Sequence, residues 1–187
     1  MLNDERVYVI RYNDKVQENC ISEHMKIEDA NGYCWFAKCG SKISERVLNS
    51  LIKDKIKIIL YSRKETYIAD LAEFKYEIPN YGYPEYYEKT IFQTKRKVAV
   101  FLKLFNITEI DGCVINKLRA ISTGRIVSDI FWHSSCSNVF AVYLDTDNEE
   151  LFKRRSCSFL KNGVCENKTS ITYGSECFHA SKCDRYS

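Results

Sequence analysis

The chain has 187 residues, of which 45% are hydrophobic and 28% charged, with a formal charge of +3. This composition excludes wholesale disorder, and the length fits one domain with an appendage that can bury a core without disulfides. The net charge alone does not indicate a nucleic-acid partner, because phosphate binding depends on local basic clusters.

The N-terminal segment, the apolar stretches and the cysteine content indicate the cellular compartment. The N-terminal segment 1–6 carries acidic residues and no apolar stretch follows it, and no later stretch approaches the roughly 18 apolar residues of a membrane span. We therefore expect an intracellular, cytoplasmic protein with no membrane partner. In a reducing compartment, the nine cysteines are expected to be core thiols or metal ligands, not disulfides.

The first half of the chain predicts three strands and two helical segments. Residues 6–11 form a β-branched and aromatic run, and 33–39 is a second strand after helix-like residues 21–30. Ser41 or Ser44 can cap a helix, whose apolar stripe is Ile43, Val47, Leu48, Leu51 and Ile52. Residues 55–62 predict the third strand, which changes from alternating to fully apolar.

The second half predicts three further strands around a tyrosine-rich loop. A charged turn leads to residues 66–76, the hairpin partner of the third strand, and the loop at 78–90 holds both prolines. Residues 98–110 are the longest predicted strand, and 138–144 the last one. Between them, the apolar spacing predicts two short helices within 114–131. Strands with inserted helices indicate an α+β fold, a small mixed β-barrel, and not a doubly wound sheet.

The order of these elements resembles the PUA-like superfamily, which includes the EVE, YTH and ASCH domains. The resemblance is carried by the segments Gly-Tyr-Cys-Trp-Phe-Ala-Lys at 32–38 and Lys-Ile-Lys-Ile-Ile-Leu-Tyr-Ser at 55–62, with a helix between them. It covers roughly residues 5–145 and predicts a PUA-like barrel domain over 1–150. It implies a barrel mouth that receives a base, in some members a modified base, from DNA or RNA.

The resemblance implies that aromatic side chains stack on the base and that polar side chains form hydrogen bonds with its edge. The candidate rings are Tyr33, Trp35, Tyr61 and Trp132, and the candidate polar groups are Ser62, His133, Ser134 and Ser135. A ring inside a strand, such as Trp35 or Tyr61, can instead belong to the barrel core, and His133 can be a structural histidine. Trp132 is the most indicative ring, because it stands where a predicted helix ends in a polar turn.

Basic residues are the candidate phosphate contacts. They are Lys95, Arg96, Lys97, Arg125, Lys153, Arg154 and Arg155. Each cluster can instead be a solvated edge. Residues 122–125, Ser-Thr-Gly-Arg, can cradle a phosphate or simply end a helix. If they bind phosphate, a small nucleotide competes with a nucleic-acid strand as the ligand.

Residues 151–187 form a cysteine-rich tail with few aliphatic residues. Its four cysteines are separated by 7, 11 and 5 residues, and they are Cys157, Cys165, Cys177 and Cys183. Four thiolates can close a tetrahedral zinc site that supplies the tail's folding free energy, with His179 as an alternative ligand. Such a site leaves no open position, so the zinc would be structural. Reduced cysteines packed on the barrel, or disulfides, are the alternatives.

Motifs for enzymes are scarce. The sequence has no P-loop, Rossmann or zincin signature, and the pair His133 and Cys136 lacks an identifiable carboxylate to orient it. We therefore favour a nucleic-acid reader. The alternatives are a protein-interaction module, inhibitor or adaptor, that uses the tyrosines of residues 81–87, and a nucleotide-binding enzyme.

Overall fold

The structure, a computed structural model, describes residues 6–13, 17, 19–94 and 97–143, together with two short strands further along the chain. The chain divides into two compact units, Met1–Tyr143 and Leu144–Ser187. In the second unit the described residues form one antiparallel hairpin of two two-residue strands, Leu160–Lys161 and Val164–Cys165.

The first unit contains seven strands, four α-helices and one π-helical turn among its described residues. In chain order they are β1 Arg6–Arg11, α1 Cys20–Asn31, β2 Cys34–Cys39, α2 Glu45–Lys53, β3 Lys57–Tyr61, β4 Thr66–Lys75, the π-helical turn Glu88–Phe92, β5 Val98–Glu109, α3 Val114–Lys117, β6 Leu118–Ala120, α4 Val127–His133 and β7 Asn138–Tyr143. The predicted α+β class is confirmed.

All seven strands belong to one mixed sheet, in the order β2-β5-β4-β3-β1-β7-β6. Only β1 and β3 run parallel, and every other neighbouring pair is antiparallel. Because β1 and β3 are parallel, their carboxyl ends meet at the same edge of the sheet, with the start of β7 beside them. This edge positions the candidate site.

The sheet is not closed, and the predicted barrel is therefore not confirmed. Within the described residues, β2 and β6 stand at its two ends and do not pair with each other. The edge of β2 is used by the tyrosine-rich loop: the Trp35 amide donates to the Gly82 carbonyl at 2.7 Å, and the Ala37 amide donates to the Tyr87 hydroxyl at 2.7 Å. Because these amides are engaged and β6 is only three residues long, β2 and β6 do not offer each other the edges needed to close the sheet.

The open sheet is nevertheless strongly curled. The ammonium of Lys38 on β2 donates to the Ser137 hydroxyl, which directly precedes β7, at 3.1 Å, although four strands separate β2 from β7. The same ammonium donates to the carbonyls of Cys39 at 3.2 Å and Ser41 at 2.7 Å. Burial lowers the pKa of Lys38, and these three acceptors offset part of the cost of burying its charge.

Apolar side chains pack on both faces of the sheet. Tyr8 and Ile10 of β1 join one core with Leu48 and Leu51 of α2, and Val7 and Val9 join another on the opposite face. This second core includes residues from α3, α4 and β6, namely Ile115, Leu118, Ala120, Val127, Ile130 and Phe131. It therefore holds α4 against the sheet, which fixes the position of the residues that end α4.

The predicted helix around 114–121 is only partly present. Val114–Lys117 is helical, but Leu118–Ala120 pairs with β7, with Leu118 opposite Tyr143 and Ala120 opposite Ala141. Leu118 and Ala120 alternate with Arg119 and are both fully buried, so the strand buries apolar residues whose spacing also indicated a helix.

Candidate functional site

The candidate site lies where β1 and β3 end. Arg11 is paired with Tyr61 in the parallel register, so residues 11–13 and 61–63 lie side by side beyond the two strands. The start of β7 is at the same edge, because Asn138 is opposite Ile10. Crevices beyond the carboxyl ends of parallel strands are common ligand sites.

A cleft of about 370 Å³ opens at this edge. We call it the outer cleft, and its lining residues are Arg11, Tyr12, Asn13, Tyr61, Ser62, Arg63, Ser128, Phe131 and Trp132. Ligand pockets typically measure about 300–1,000 Å³, so the outer cleft is large enough for a small flat group. Among these described lining residues, two carry a positive charge and none is acidic.

Aromatic rings form the walls of the outer cleft. The rings of Tyr61 and Phe131 stack, with centroids 5.8 Å apart and an interplanar angle of 16°. The indole of Trp132, the next residue along α4, is 61% exposed. The Arg63 guanidinium lies over this indole, 4.6 Å from the ring centroid. A large exposed ring beside a cleft offers a surface on which another flat ring can stack.

Arg11 fixes the end of α4. Its guanidinium donates to the carbonyl of Phe131 and, at 3.5 Å, to that of Ser134, and it lies 5.6 Å from the centroid of the Phe131 ring. Carbonyls at a helix C-terminus carry partial negative charge and attract cations. Arg11 thus holds the turn that carries Trp132.

A smaller cavity, the inner pocket, shares Arg11, Tyr12 and Asn13 with the outer cleft. It measures about 170 Å³, and its other lining residues are Ile10, Cys20, Phe36, Ala37, Lys38, Cys39, Tyr86, Tyr87 and Ile91. Tyr12 is held by Glu65, whose two carboxylate oxygens accept from Tyr12 at 2.9 Å and from Tyr67 at 2.8 Å. Burial, together with this carboxylate, raises the pKa of Tyr12 well above its usual range.

A chain of hydrogen bonds lies behind the inner pocket. The Ala37 amide donates to the Tyr87 hydroxyl, Tyr87 contacts Nε2 of His24 at 2.7 Å, and Nδ1 of His24 contacts the Cys20 carbonyl at 2.7 Å. A carbonyl only accepts, so Nδ1 carries the proton and Nε2 accepts from Tyr87. Burial lowers the pKa of His24 to about 4. His24 is therefore a neutral residue that joins α1 to the tyrosine-rich loop.

The structure separates the four predicted rings into two groups. Tyr61 and Trp132 line the outer cleft, together with Ser62. Tyr33 and Trp35 line neither cavity: Trp35 is 3% exposed and packs with Tyr87, Ile91 and Phe101. Because side chains alternate along a strand, Trp35 lies on the opposite face of β2 from Phe36, which lines the inner pocket.

The polar candidates also divide. His133 is half-buried and Ser134 is exposed, but neither lines the outer cleft or the inner pocket. The Ser62 hydroxyl accepts from the amides of Lys64 and Glu65, each at 3.2 Å, so its position closes the β3–β4 turn. Ser128, which the sequence did not single out, also lines the outer cleft.

Those basic candidates that the structure describes lie away from both cavities. Lys97 and Arg125 are exposed and line neither cavity. In the turn before Arg125, the amides of Thr123 and Gly124 donate to the Ala120 carbonyl, at 3.4 and 2.8 Å, so they close the turn instead of pointing at a ligand. The remaining basic candidates, Lys95, Arg96, Lys153, Arg154 and Arg155, lie outside the described residues.

The predicted metal ligands fall in the second unit. Cys157, Cys177, Cys183 and His179 lie outside the described residues, and Cys165 is described only as part of a strand. Within the part of the chain that is described, no group of three or more His, Cys, Asp or Glu residues is arranged to hold a metal ion.

Sequence reasoning missed Arg11, Tyr12, Arg63 and Phe131. The available signal was that Arg11 and Arg63 each stand at or just beyond the end of an apolar strand. Only the parallel pairing of those two strands brings them together.

A comparison with protein-family models, curated proteins and solved structures finds no match to this chain. No family is therefore assigned to it. Of the helices in the described residues, none combines the length and the apolar character needed to cross a membrane.

Proposed function

We propose that the protein binds a nucleic-acid strand and holds one base in the outer cleft. The observation that carries this proposal is the 61% exposed indole of Trp132 beside a cleft of about 370 Å³ whose wall is the stacked pair Tyr61 and Phe131. Bases of every kind present a flat face, and stacking on aromatic side chains is the common way in which proteins hold an unpaired base.

The charge of the outer cleft supports a ligand that carries phosphate. Arg11 and Arg63 contribute two positive charges, and no described lining residue opposes them. The guanidinium group matches the geometry of phosphate oxygens. The hydroxyl of Ser128 is the group we propose to contact the edge of the base.

We further propose that the basic residues outside the cleft follow the phosphate backbone. Lys97 and Arg125 are exposed and can do so from the first unit. The clusters Lys95–Lys97 and Lys153–Arg155 are the further basic residues that we propose to contact phosphate, each within its own unit. Contacts of this kind position a strand without reading its sequence.

The PUA-like relationship is part of the same proposal. The curled mixed sheet, in which Lys38 reaches Ser137 across four strands, supports an incompletely closed barrel of that type. On this proposal the outer cleft is the barrel mouth, and the base held there can be modified.

The test is a titration with short single-stranded DNA and RNA followed by tryptophan fluorescence. The chain has two tryptophans, and Trp35 is buried, so we expect quenching to come from Trp132 and to vanish in Trp132→Phe. If two phosphates are neutralised, the affinity should fall about sevenfold between 50 and 200 mM salt. Unchanged fluorescence with both nucleic acids would contradict the proposal.

A protein-interaction surface is the second candidate, favoured by exposed apolar side chains near the tyrosine-rich loop. Tyr76, Ile78 and Tyr81 are 51%, 57% and 68% exposed. Tyrosines are favoured anchors at interfaces, and such a contact should depend little on salt. A partner that binds at high salt and is lost in Tyr81→Ala would favour this candidate over a nucleic acid.

For the second unit we propose a structural zinc ion held by Cys157, Cys165, Cys177 and Cys183, with His179 as an alternative ligand. Metal analysis of the full chain should give about one equivalent of zinc, and Cys177→Ser should lower it. Cys113→Ser is the matched control, because Cys113 is an exposed thiol of the first unit. Less than about half an equivalent in the wild type would remove the zinc proposal.

A further inference from the structure

Arg63 stands on a rigid turn. The Ser62 amide donates to the Glu65 carbonyl at 3.0 Å, and the Ser62 hydroxyl accepts from the amides of Lys64 and Glu65. These bonds fix the backbone of the β3–β4 turn, while the side chain of Arg63 is exposed. The guanidinium can therefore change position without any change in the turn.

The guanidinium of Arg63 is not committed to another polar group in the described part of the chain. Its contact is the ring of Trp132, at 4.6 Å, and it makes no hydrogen bond or ion pair with a described residue. Arg11 differs, because two carbonyls at the end of α4 hold it. No described residue therefore occupies any of the five N–H donors of Arg63, and all five can bind a ligand.

The same guanidinium covers a face of the indole on which a base would stack. A cation–π contact at an exposed site is weak, and stacking of a base on an indole is stronger. A base can therefore displace Arg63 from Trp132. A displaced guanidinium on a fixed turn remains beside the cleft, where it meets the phosphate attached to the base.

We infer that Arg63 determines the specificity of the outer cleft for a phosphate-bearing nucleotide over the bare nucleoside. This inference rests on the function proposed above. A nucleoside gains only the stacking contact and leaves the displaced guanidinium without a partner, whereas a nucleotide offers the guanidinium a phosphate with which to form paired hydrogen bonds. The shared ligand chemistry is a base joined to a phosphate, in a strand or in a free nucleotide.

The experiment compares wild type, Arg63→Ala and Lys64→Ala with three probes. The probes are adenosine, adenosine 5′-monophosphate and the dinucleotide ApA, each followed by quenching of Trp132. Lys64 is the matched control because it is exposed, adjacent, and loses the same unit of charge. Only its backbone amide, which the substitution retains, bonds within the turn.

In Arg63→Ala we expect opposite changes for the two classes of probe. The two phosphate-bearing probes should bind about tenfold more weakly, which is the usual scale for a charged hydrogen bond. Adenosine should bind about two- to fivefold more tightly, because the covering contact is gone. Lys64→Ala should change all three affinities by less than about twofold. Tighter binding of ApA than of the mononucleotide identifies a strand as the ligand, and the reverse identifies a free nucleotide.

Two outcomes overturn the inference while leaving the proposed function intact. One is an equal loss for adenosine and the mononucleotide in Arg63→Ala, and the other is an equal effect of Lys64→Ala. If no probe quenches Trp132 in the wild type, the proposed function fails and the role of Arg63 fails with it.

Discussion

Replacing Trp132 by alanine is expected to weaken binding of a single-stranded oligonucleotide by about 5- to 150-fold. This range follows from the ~1–3 kcal/mol that stacking of one base on an aromatic side chain contributes. The indole is 61% exposed, and its described contact is the guanidinium of Arg63, so the fold should persist. Trp132→Phe should keep most of the affinity, because it keeps a ring. Equilibrium binding by fluorescence anisotropy measures both variants.

Tyr81→Ala is the control for this substitution. Tyr81 is 68% exposed and lies on the tyrosine-rich loop, so its removal also deletes an exposed ring but leaves the outer cleft intact. We expect its affinity for the oligonucleotide to equal that of the wild type. A loss in Tyr81→Ala as large as in Trp132→Ala would mean that the outer cleft is not where the base binds.

Acidification from pH 6.5 to pH 4 is expected to lower the free energy of unfolding by about 3 kcal/mol through His24 alone. Burial lowers the pKa of His24 to about 4, against 6.5 for the unfolded chain. Between these values the unfolded state binds a proton that the folded state does not, so stability is lost as the pH falls. Below about pH 4 both states are protonated, and His24 contributes no further loss.

Urea unfolding of the full chain at pH 7, 6, 5 and 4 tests this expectation against His24→Gln, which cannot titrate. The variant should be less stable at pH 7, because it loses the buried imidazole that contacts both the Cys20 carbonyl and the Tyr87 hydroxyl, but its stability should fall much less between pH 6.5 and 4. Asp70 interferes little, because the stability that its carboxylate contributes is lost mainly below its ordinary pKa of 3.8. Parallel curves for the two proteins would show that His24 does not titrate as a buried neutral residue.

The elements with strong local patterns could be predicted from the sequence. Strand β1 spans the predicted residues, and the apolar stripe of α2 faces the core through Leu48 and Leu51. The segment 118–120 was predicted as helix because its apolar spacing fits both structures, and pairing with β7 decides between them. That pairing joins residues more than twenty positions apart, which no local pattern reveals.

The candidate site could be predicted only in part, for the same reason. Trp132 was singled out because a helix ends there, and it lines the outer cleft. Trp35 was equally aromatic, but the packing of Tyr87 and Ile91 from a distant loop buries it. To predict Arg11 and Arg63 as site residues, one would have needed the parallel register of β1 and β3, which depends on contacts between residues about fifty positions apart.

The bond from the Trp35 amide to the Gly82 carbonyl has a consequence for solubility. Gly82 has φ +82°, and a Cβ there would lie 2.8 Å from the Tyr33 ring, so a larger residue would strain the loop and either that ring or the loop would have to shift. If the loop shifts, the Trp35 amide is released at the edge of β2, and an unpaired strand edge can recruit the same edge of another molecule. Gly82 thus keeps the Trp35 amide at the edge of β2 bonded within the molecule.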